Sequence, residues 1–204
     1  MKKVIGILAV ALLSVTISCK DNKEQEEGTM PNEGMQTESH EGHEHAAGTE
    51  STEREINQNS AKNTETAAIL DAYFEIKNGL VADGKEKAAE GGNSLIAAIE
   101  KFDMSKLTGD THTKYMEIAE SAKEHAEHIV KSPIDHQREH FEALSTDMTD
   151  LVALLGTDKV IYQDYCPMAN NNKGANWLSE VKEIKNPYFG SKMLKCGSVK
   201  KQIN

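Results

Sequence analysis

The sequence predicts an all-α fold over residues 64–204: an antiparallel four-helix bundle closed by a loop-rich C-terminal cap with room for one short hairpin. Three features predict it. Apolar residues recur at a helical period through four successive segments, and the links between those segments are short. Aromatic residues make up only 5% of the chain, too few for a β-sandwich or a barrel.

The first helix is expected from about Thr64 to Leu80. Thr64 offers a cap, and Ala67, Leu70, Tyr73, Phe74, Lys77 and Val81 fall on one stripe. The pairs Asn78-Gly79 and Asp83-Gly84 mark the first link. A second helix follows from about Asp83 to Phe102, with Ala88, Leu95, Ala98, Ile99 and Phe102 on one face. Gly91-Gly92 interrupts it, and each Gly costs about 1 kcal/mol in a helix interior. Close helix packing or a kink is therefore expected at that pair. The third helix, about Asp110 to Val130, lines Tyr115, Ile118, Ala122, His125, Ala126 and Ile129 along its apolar side. Ser132-Pro133 opens the fourth, with Ser as N-cap and Pro in the first turn. Phe141, Leu144, Met148, Leu151 and Leu155 form its stripe, and Gly156 stops it.

Beyond Gly156 the pattern changes. Val160 to Tyr165 reads as extended, and Asn170 to Gly174 reads as a polar turn. Trp177, Leu178 and Val181 mark a short packed segment, and Asn186-Pro187-Tyr188-Phe189-Gly190 marks a further turn.

The N-terminal third is of another kind. Residues 1–18 read as a signal peptide: Lys2 and Lys3 precede an apolar run from Val4 to Ile17, shorter than the roughly 20 residues a membrane span needs. Ser18-Cys19 at its end resembles a bacterial lipobox, which implies that Cys19 is lipidated. Stable anchoring takes more than one acyl chain, which diacylation supplies. The following Lys20-Asp21-Asn22-Lys23-Glu24 resembles the surface-export signal of some Gram-negative lipoproteins. These features place the protein in the cell envelope as an outer-membrane lipoprotein, facing either the periplasm or the exterior. Residues 19–63 carry eleven acidic side chains against four basic ones and almost no apolar ones. That is the composition of a flexible linker, about 35–40 Å in root-mean-square span. A net charge of −10 argues against a nucleic-acid partner.

Three groups of residues suggest metal chemistry. In the linker, His40, His43 and His45 follow Met30 and Met35, and imidazole with thioether suits copper and its neighbours. Near the C-terminus, Cys166-Pro167-Met168 and Met193-Leu194-Lys195-Cys196 each pair one Cys with one Met. Two readings stand for that set. Cys166, Met168, Met193 and Cys196 form a soft site for Cu(I) or Ag(I), or Cys166 and Cys196 form a disulfide. On the helices, His136 and His140 lie four apart and share one side, while His125 and His128 lie three apart on the preceding helix. By helical angle, His125 and His140 flank the apolar stripes and His128 and His136 point outward. No phosphate loop, Gly-x-Ser-x-Gly or His-Glu-x-x-His is present, and no enzyme activity is expected.

Several stretches together carry a resemblance. They are Ala72-Tyr73-Phe74 with Lys77 and Leu80-Val81-Ala82-Asp83, then Asp135-His136-Gln137-Arg138-Glu139-His140-Phe141. The third and longest runs from Tyr165-Cys166-Pro167-Met168-Ala169 through Trp177-Leu178-Ser179 and Asn186-Pro187-Tyr188-Phe189-Gly190 to Met193-Leu194 and Cys196-Gly197. They resemble an uncharacterised helical domain family found in envelope lipoproteins and at the C-terminus of periplasmic adaptor subunits of copper/silver-type efflux pumps. The resemblance covers residues 64–204. It implies heavy-metal handling beside an efflux system, with Cys166, Met168, Met193 and Cys196 as ligands and His136 and His140 beside them. The expectation is thus a lipoprotein that binds soft heavy-metal ions, Cu(I) or Ag(I) foremost, for buffering or delivery to efflux. The alternative is a disulfide-stabilised structural or interaction module without metal.

Overall fold

A computed structural model describes residues 61–204. The signal peptide, Cys19 and the linker histidines His40, His43 and His45 lie outside the described residues. The described chain is mostly helical, with a small three-stranded antiparallel sheet.

Four long helices follow one another: α1 (Ala67–Val81), α2 (Lys85–Lys101), α3 (Gly109–Lys131) and α4 (Ile134–Leu155). Each packs on the next, and α4 returns to touch α1. Their apolar stripes meet in one core, with Leu70, Tyr73, Ile76, Leu95, Ile118, Ile129, Phe141 and Leu144 all sealed from solvent. Gly91 does what the Gly pair suggested. A Cβ placed there would lie 2.6 Å from the Ile76 backbone nitrogen, so α1 and α2 touch backbone to backbone. Gly79 answers it on α1, where a Cβ would lie 2.5 Å from the Ala88 nitrogen.

The helix ends depart from expectation in their chemistry. Asn63 Oδ1, not a Thr64 hydroxyl, accepts from the Glu65 amide at 2.8 Å. The Thr66 hydroxyl donates across the chain to the Gly156 carbonyl at 3.1 Å. Ser132 makes no side-chain cap: Pro133 is the residue before α4, and its carbonyl accepts from Gln137 N at 2.9 Å. Gln137 serves the other helix end: its side-chain amide donates to the Ile129 carbonyl at 2.7 Å, near the end of α3. Gly156 stops α4 with φ of +79°, a left-handed conformation that favours Gly.

The C-terminal segment corrects the all-α expectation. The strands are β1 (Ile161–Cys166), β2 (Ala175–Ser179) and β3 (Ser198–Ile203), in the order β2-β1-β3. The expected hairpin is β1-β2, turned by Asn170, Asn171 and Asn172, all left-handed. Asn tolerates that region better than other side-chain-bearing residues. The third strand was read as cap. Helix α4 packs on β2, and Tyr73 ties the layers together. Its hydroxyl bonds Ser145 of α4 at 2.8 Å and accepts from the Leu178 amide of β2 at 3.0 Å. Trp177, fully buried on β2, meets Tyr188 edge to face. Among the described residues no helix is long and apolar enough to cross a membrane.

Candidate metal centre

The site grows from the hairpin of α3 and α4. Two antiparallel helices joined by Ser132-Pro133 fold about residue 132, so positions equally far before and after it come together. That pairs His128 with His136, each four residues away, and brings His125 and His140 one turn further along. The four rings accordingly form one cluster. His128 stacks on His140 with centroids 4.2 Å apart, His136 meets His140 edge-on at 4.5 Å, and His125 lies 5.4 Å from His140.

The nitrogens are ordered. Nε2 of His136 and Nε2 of His140 lie 3.0 Å apart. Nδ1 of His140 lies 3.1 Å from Nδ1 of His125. Nδ1 of His136 lies 2.7 Å from the Glu139 carboxylate. A carboxylate only accepts, so Nδ1 of His136 donates to Glu139 and, in the neutral ring, its Nε2 accepts from Nε2 of His140. This is the outer-shell arrangement that orients a ligating His. One ligand atom from each of His128, His136 and His140 can be chosen so that all lie within 4.8 Å of one another. Three nitrogens about 2.0–2.1 Å from one tetrahedral ion stand roughly 3.3 Å apart. The pair on α4 already matches that spacing. His128 reaches it by a ring shift of at most about 1.5 Å, within reach of side-chain rotation.

Burial is graded across the cluster. His125 is buried, His128 and His140 are half-buried, and His136 is exposed. The His140 imidazole is pushed down to about 4, first by burial and then by the neighbouring charges of His128, His136 and His125. It is therefore neutral, as a ligand must be, across the whole range from mildly acidic to neutral pH.

Of the residues singled out from sequence, His136 and His140 come together as expected. His128, read from its helical angle as pointing outward and not singled out as a ligand, lies beside them. The signal that finds it is the symmetry of the histidines about the Ser132-Pro133 link. Cys166 and Cys196 also meet, with sulfurs 3.1 Å apart and both thiols free. Met168 follows β1 and is exposed, and Met193 is half-buried, its carbonyl accepting from the Cys196 amide at 3.0 Å.

A second group escaped the sequence reading. Lys77, on the apolar stripe of α1, is fully buried and reaches Glu180 at 2.6 Å. Asp164 of β1 is also fully buried, and neither of its carboxylate oxygens has a hydrogen-bond partner among the described residues. Burial pushes the Asp164 carboxyl up to about 6 against the pull of the Lys77 ammonium.

Compared with known proteins, residues 69–159 match a family model described as a protein of unknown function (DUF3347). The match runs from α1 to just past α4 and includes all four clustered histidines, whereas Cys166 and Cys196 lie beyond it. No curated protein and no solved structure matches the chain.

Proposed function

We propose that this chain is a cell-envelope metal-binding protein that captures a transition-metal ion, copper foremost, on His128, His136 and His140. The ion is then buffered or handed to an efflux system. The four helices serve as an antiparallel bundle that mounts the site, and lipidation at Cys19 holds the protein at the outer membrane. One observation carries the reading: the Nε2 atoms of His136 and His140 lie 3.0 Å apart, the first ring backed by a carboxylate, the second by His125 and stacked on by His128.

The donor set points to the ion. Imidazole suits copper, zinc and nickel, and copper(II) stands highest in the affinity order. The sulfur motifs suggested a softer ion, Cu(I) or Ag(I); the imidazole cluster moves the choice toward the borderline ions with copper common to both. Three protein ligands leave at least one coordination position open. His136 faces solvent, so an ion enters and leaves without the fold opening. That suits capture and transfer better than permanent structural binding. The linker residues His40, His43 and His45 would raise the local ion concentration.

The test is a titration of the full chain with Cu(II) and Zn(II) against a competing chelator. Wild type is compared with a His136→Ala/His140→Ala variant and with a His40→Ala/His43→Ala/His45→Ala variant. A tight site lost in the first and kept in the second is expected. Equal affinity in wild type and the helix variant would remove the proposal. For the anchor, palmitate labelling that survives Cys19→Ser would do the same.

A further inference from the structure

The geometry points to a disulfide clasp: we infer that Cys166 and Cys196 are joined as a cystine that ties the end of β1 to the turn preceding β3. The two residues are 30 apart in sequence and their sulfurs are in contact at 3.1 Å. Two thiolates sharing one ion with bonds of about 2.3 Å stand roughly 3.8 Å apart, so the thiols sit closer than shared coordination places them.

The scaffold holds both ends. Cys166 is fully buried at the last ladder position of β1, opposite Ala175. Cys196 is fixed by Asn186, whose side-chain amide donates to the Cys196 carbonyl at 2.7 Å and whose backbone amide donates to Leu194 at 2.8 Å. The Asn186 carboxamide oxygen accepts from the Tyr188 amide at 2.8 Å, so this one buried side chain shapes the whole turn. Gly197 then lets the chain pass close over Trp177, where a Cβ would lie 2.9 Å from the ring. Two sulfurs brought together by so many fixed contacts are pre-organised for each other.

The chemistry is thiol–disulfide exchange with a disulfide donor, either a dithiol–disulfide oxidoreductase or oxidised glutathione. The half-buried Cys196 loses its proton, and its thiolate attacks the donor disulfide, forming a mixed disulfide and expelling the donor's first sulfur. The Cys166 thiol then loses its proton and attacks the Cys196 sulfur. The Cys166–Cys196 bond forms, the mixed bond breaks, and the donor leaves as two thiols carrying the two electrons and the two protons. The Cys196 thiol is held above its usual range, chiefly by its hydrogen bond to Cys166 and then by burial. A thiol of that kind attacks and leaves slowly, which suits a lasting structural bond rather than a catalytic pair. The inference does not depend on the ion proposed above, and the test is made in a chelator.

Full-length protein is equilibrated with oxidised glutathione, alkylated, digested and mapped by mass. A peptide linking Cys166 to Cys196 is expected, short of two hydrogens. Reduction should lower Tm by on the order of 10 °C, the effect of opening a loop of about 30 residues in a domain of this size. A Cys166→Ala/Cys196→Ala variant should show no dependence on reductant. The inference is overturned if both cysteines are alkylated without reductant, or if either is linked to Cys19 or to a second chain. Mapping on wild type decides the matter even where the variant does not fold.

Discussion

Replacing Asp164 by Asn should stabilise the protein at neutral pH and weaken it in acid, where only the cost of the unpartnered amide is left. Asp164 is sealed from solvent on β1, opposite Trp177 of β2, and its two oxygens have no hydrogen-bond partner among the described residues. Its carboxyl titrates at about 6 in the fold, against about 3.9 in an unfolded chain. The raised value means that the folded state holds the proton more tightly. The carboxyl is best tolerated below pH 4, and stability is lost as pH rises through about 6. Two units correspond to roughly 3 kcal/mol of cost at pH 7.5. An Asn amide still lacks partners and offsets part of that, leaving a net gain of about 1–2 kcal/mol. The gain appears as a Tm rise of roughly 3–6 °C. Urea unfolding of both proteins at pH 4, 5.5 and 7.5 measures it, because Lys77, Glu180 and every other group titrate in both chains and largely cancel in the difference. A gap between the two proteins that is the same at all three pH values, or a variant weaker at pH 7.5, would show that Asp164 is not the strained group described.

Gly91→Ala should lose about 1–2 kcal/mol despite a helix-propensity gain of about 1 kcal/mol, because the new methyl meets backbone of α1 that cannot rotate away. Gly92→Ala should cost less, since its nearest obstacle is a Val130 methyl; thermal melts rank the two. In chelator, wild type should lose more stability than His140→Gln as pH falls from about 6.5 toward 4. The His140 imidazole stays neutral in the fold down to about 4 while the unfolded chain takes up the proton, so its contribution is present above 6.5 and fades below. The difference should be on the order of 1 kcal/mol once solvent screening of a half-buried ring is allowed for, and denaturant curves at the two pH values check it. Glu139→Ala should weaken Cu(II) binding about tenfold, the lower end for an outer-shell carboxylate, because this one is mostly in water. Competition titration reads that change, and unaltered affinity would show that Glu139 does not orient His136.

The helices were legible because their evidence is local. Stripes such as Phe141-Leu144-Met148-Leu151-Leu155 and stops such as Gly156 are read within a few turns, and the observed ends fall within three residues of those expected. The sheet was harder. Strand β3 is Ser-Val-Lys-Lys-Gln-Ile, an edge strand with only Val199 and Ile203 half-buried, and its lysines are what an unpaired edge uses to stay soluble. Lys77 sat among apolar residues for a reason that lies 103 positions later, at Glu180. The Cys pair left two readings open because spacing of 30 residues says nothing about distance; the ladder between β1 and β3 brings them together. His128 was left out of the expected ligand set for a related reason. Its helical angle placed it outward on α3 alone, but the partner helix occupies that side near the link.

What favours the proposed site over a surface coincidence is how firmly α4 is pinned between His136 and His140. Gln137 and Arg138 lie between His136 and His140 on the same two turns. Gln137 is fully buried and donates to the Ile129 carbonyl and to the Lys85 carbonyl at 3.1 Å, tying α4 to α3 and to the start of α2. Arg138 donates to the Leu80 carbonyl at 3.1 Å, to Asp83 at 2.5 Å and to the Pro187 carbonyl at 3.0 Å, tying α4 to the end of α1 and to the C-terminal segment. Hydrogen bonds from Ser191, and after them the bond from Arg138, hold the Asp83 carboxyl down at about 2, so the contact stays charged at any ordinary pH. Four elements thus grip one turn of helix from behind while its opposite side carries the two imidazoles. Ordering flexible ligands costs about 0.5–1.5 kcal/mol per side chain, and a backbone fixed in this way has met part of that cost before any ion arrives. The sequence Asp-His-Gln-Arg-Glu-His therefore reads as one unit. Its inward residues fix the backbone, its outward residues present two nitrogens, and Glu139 sets the protonation of one of them.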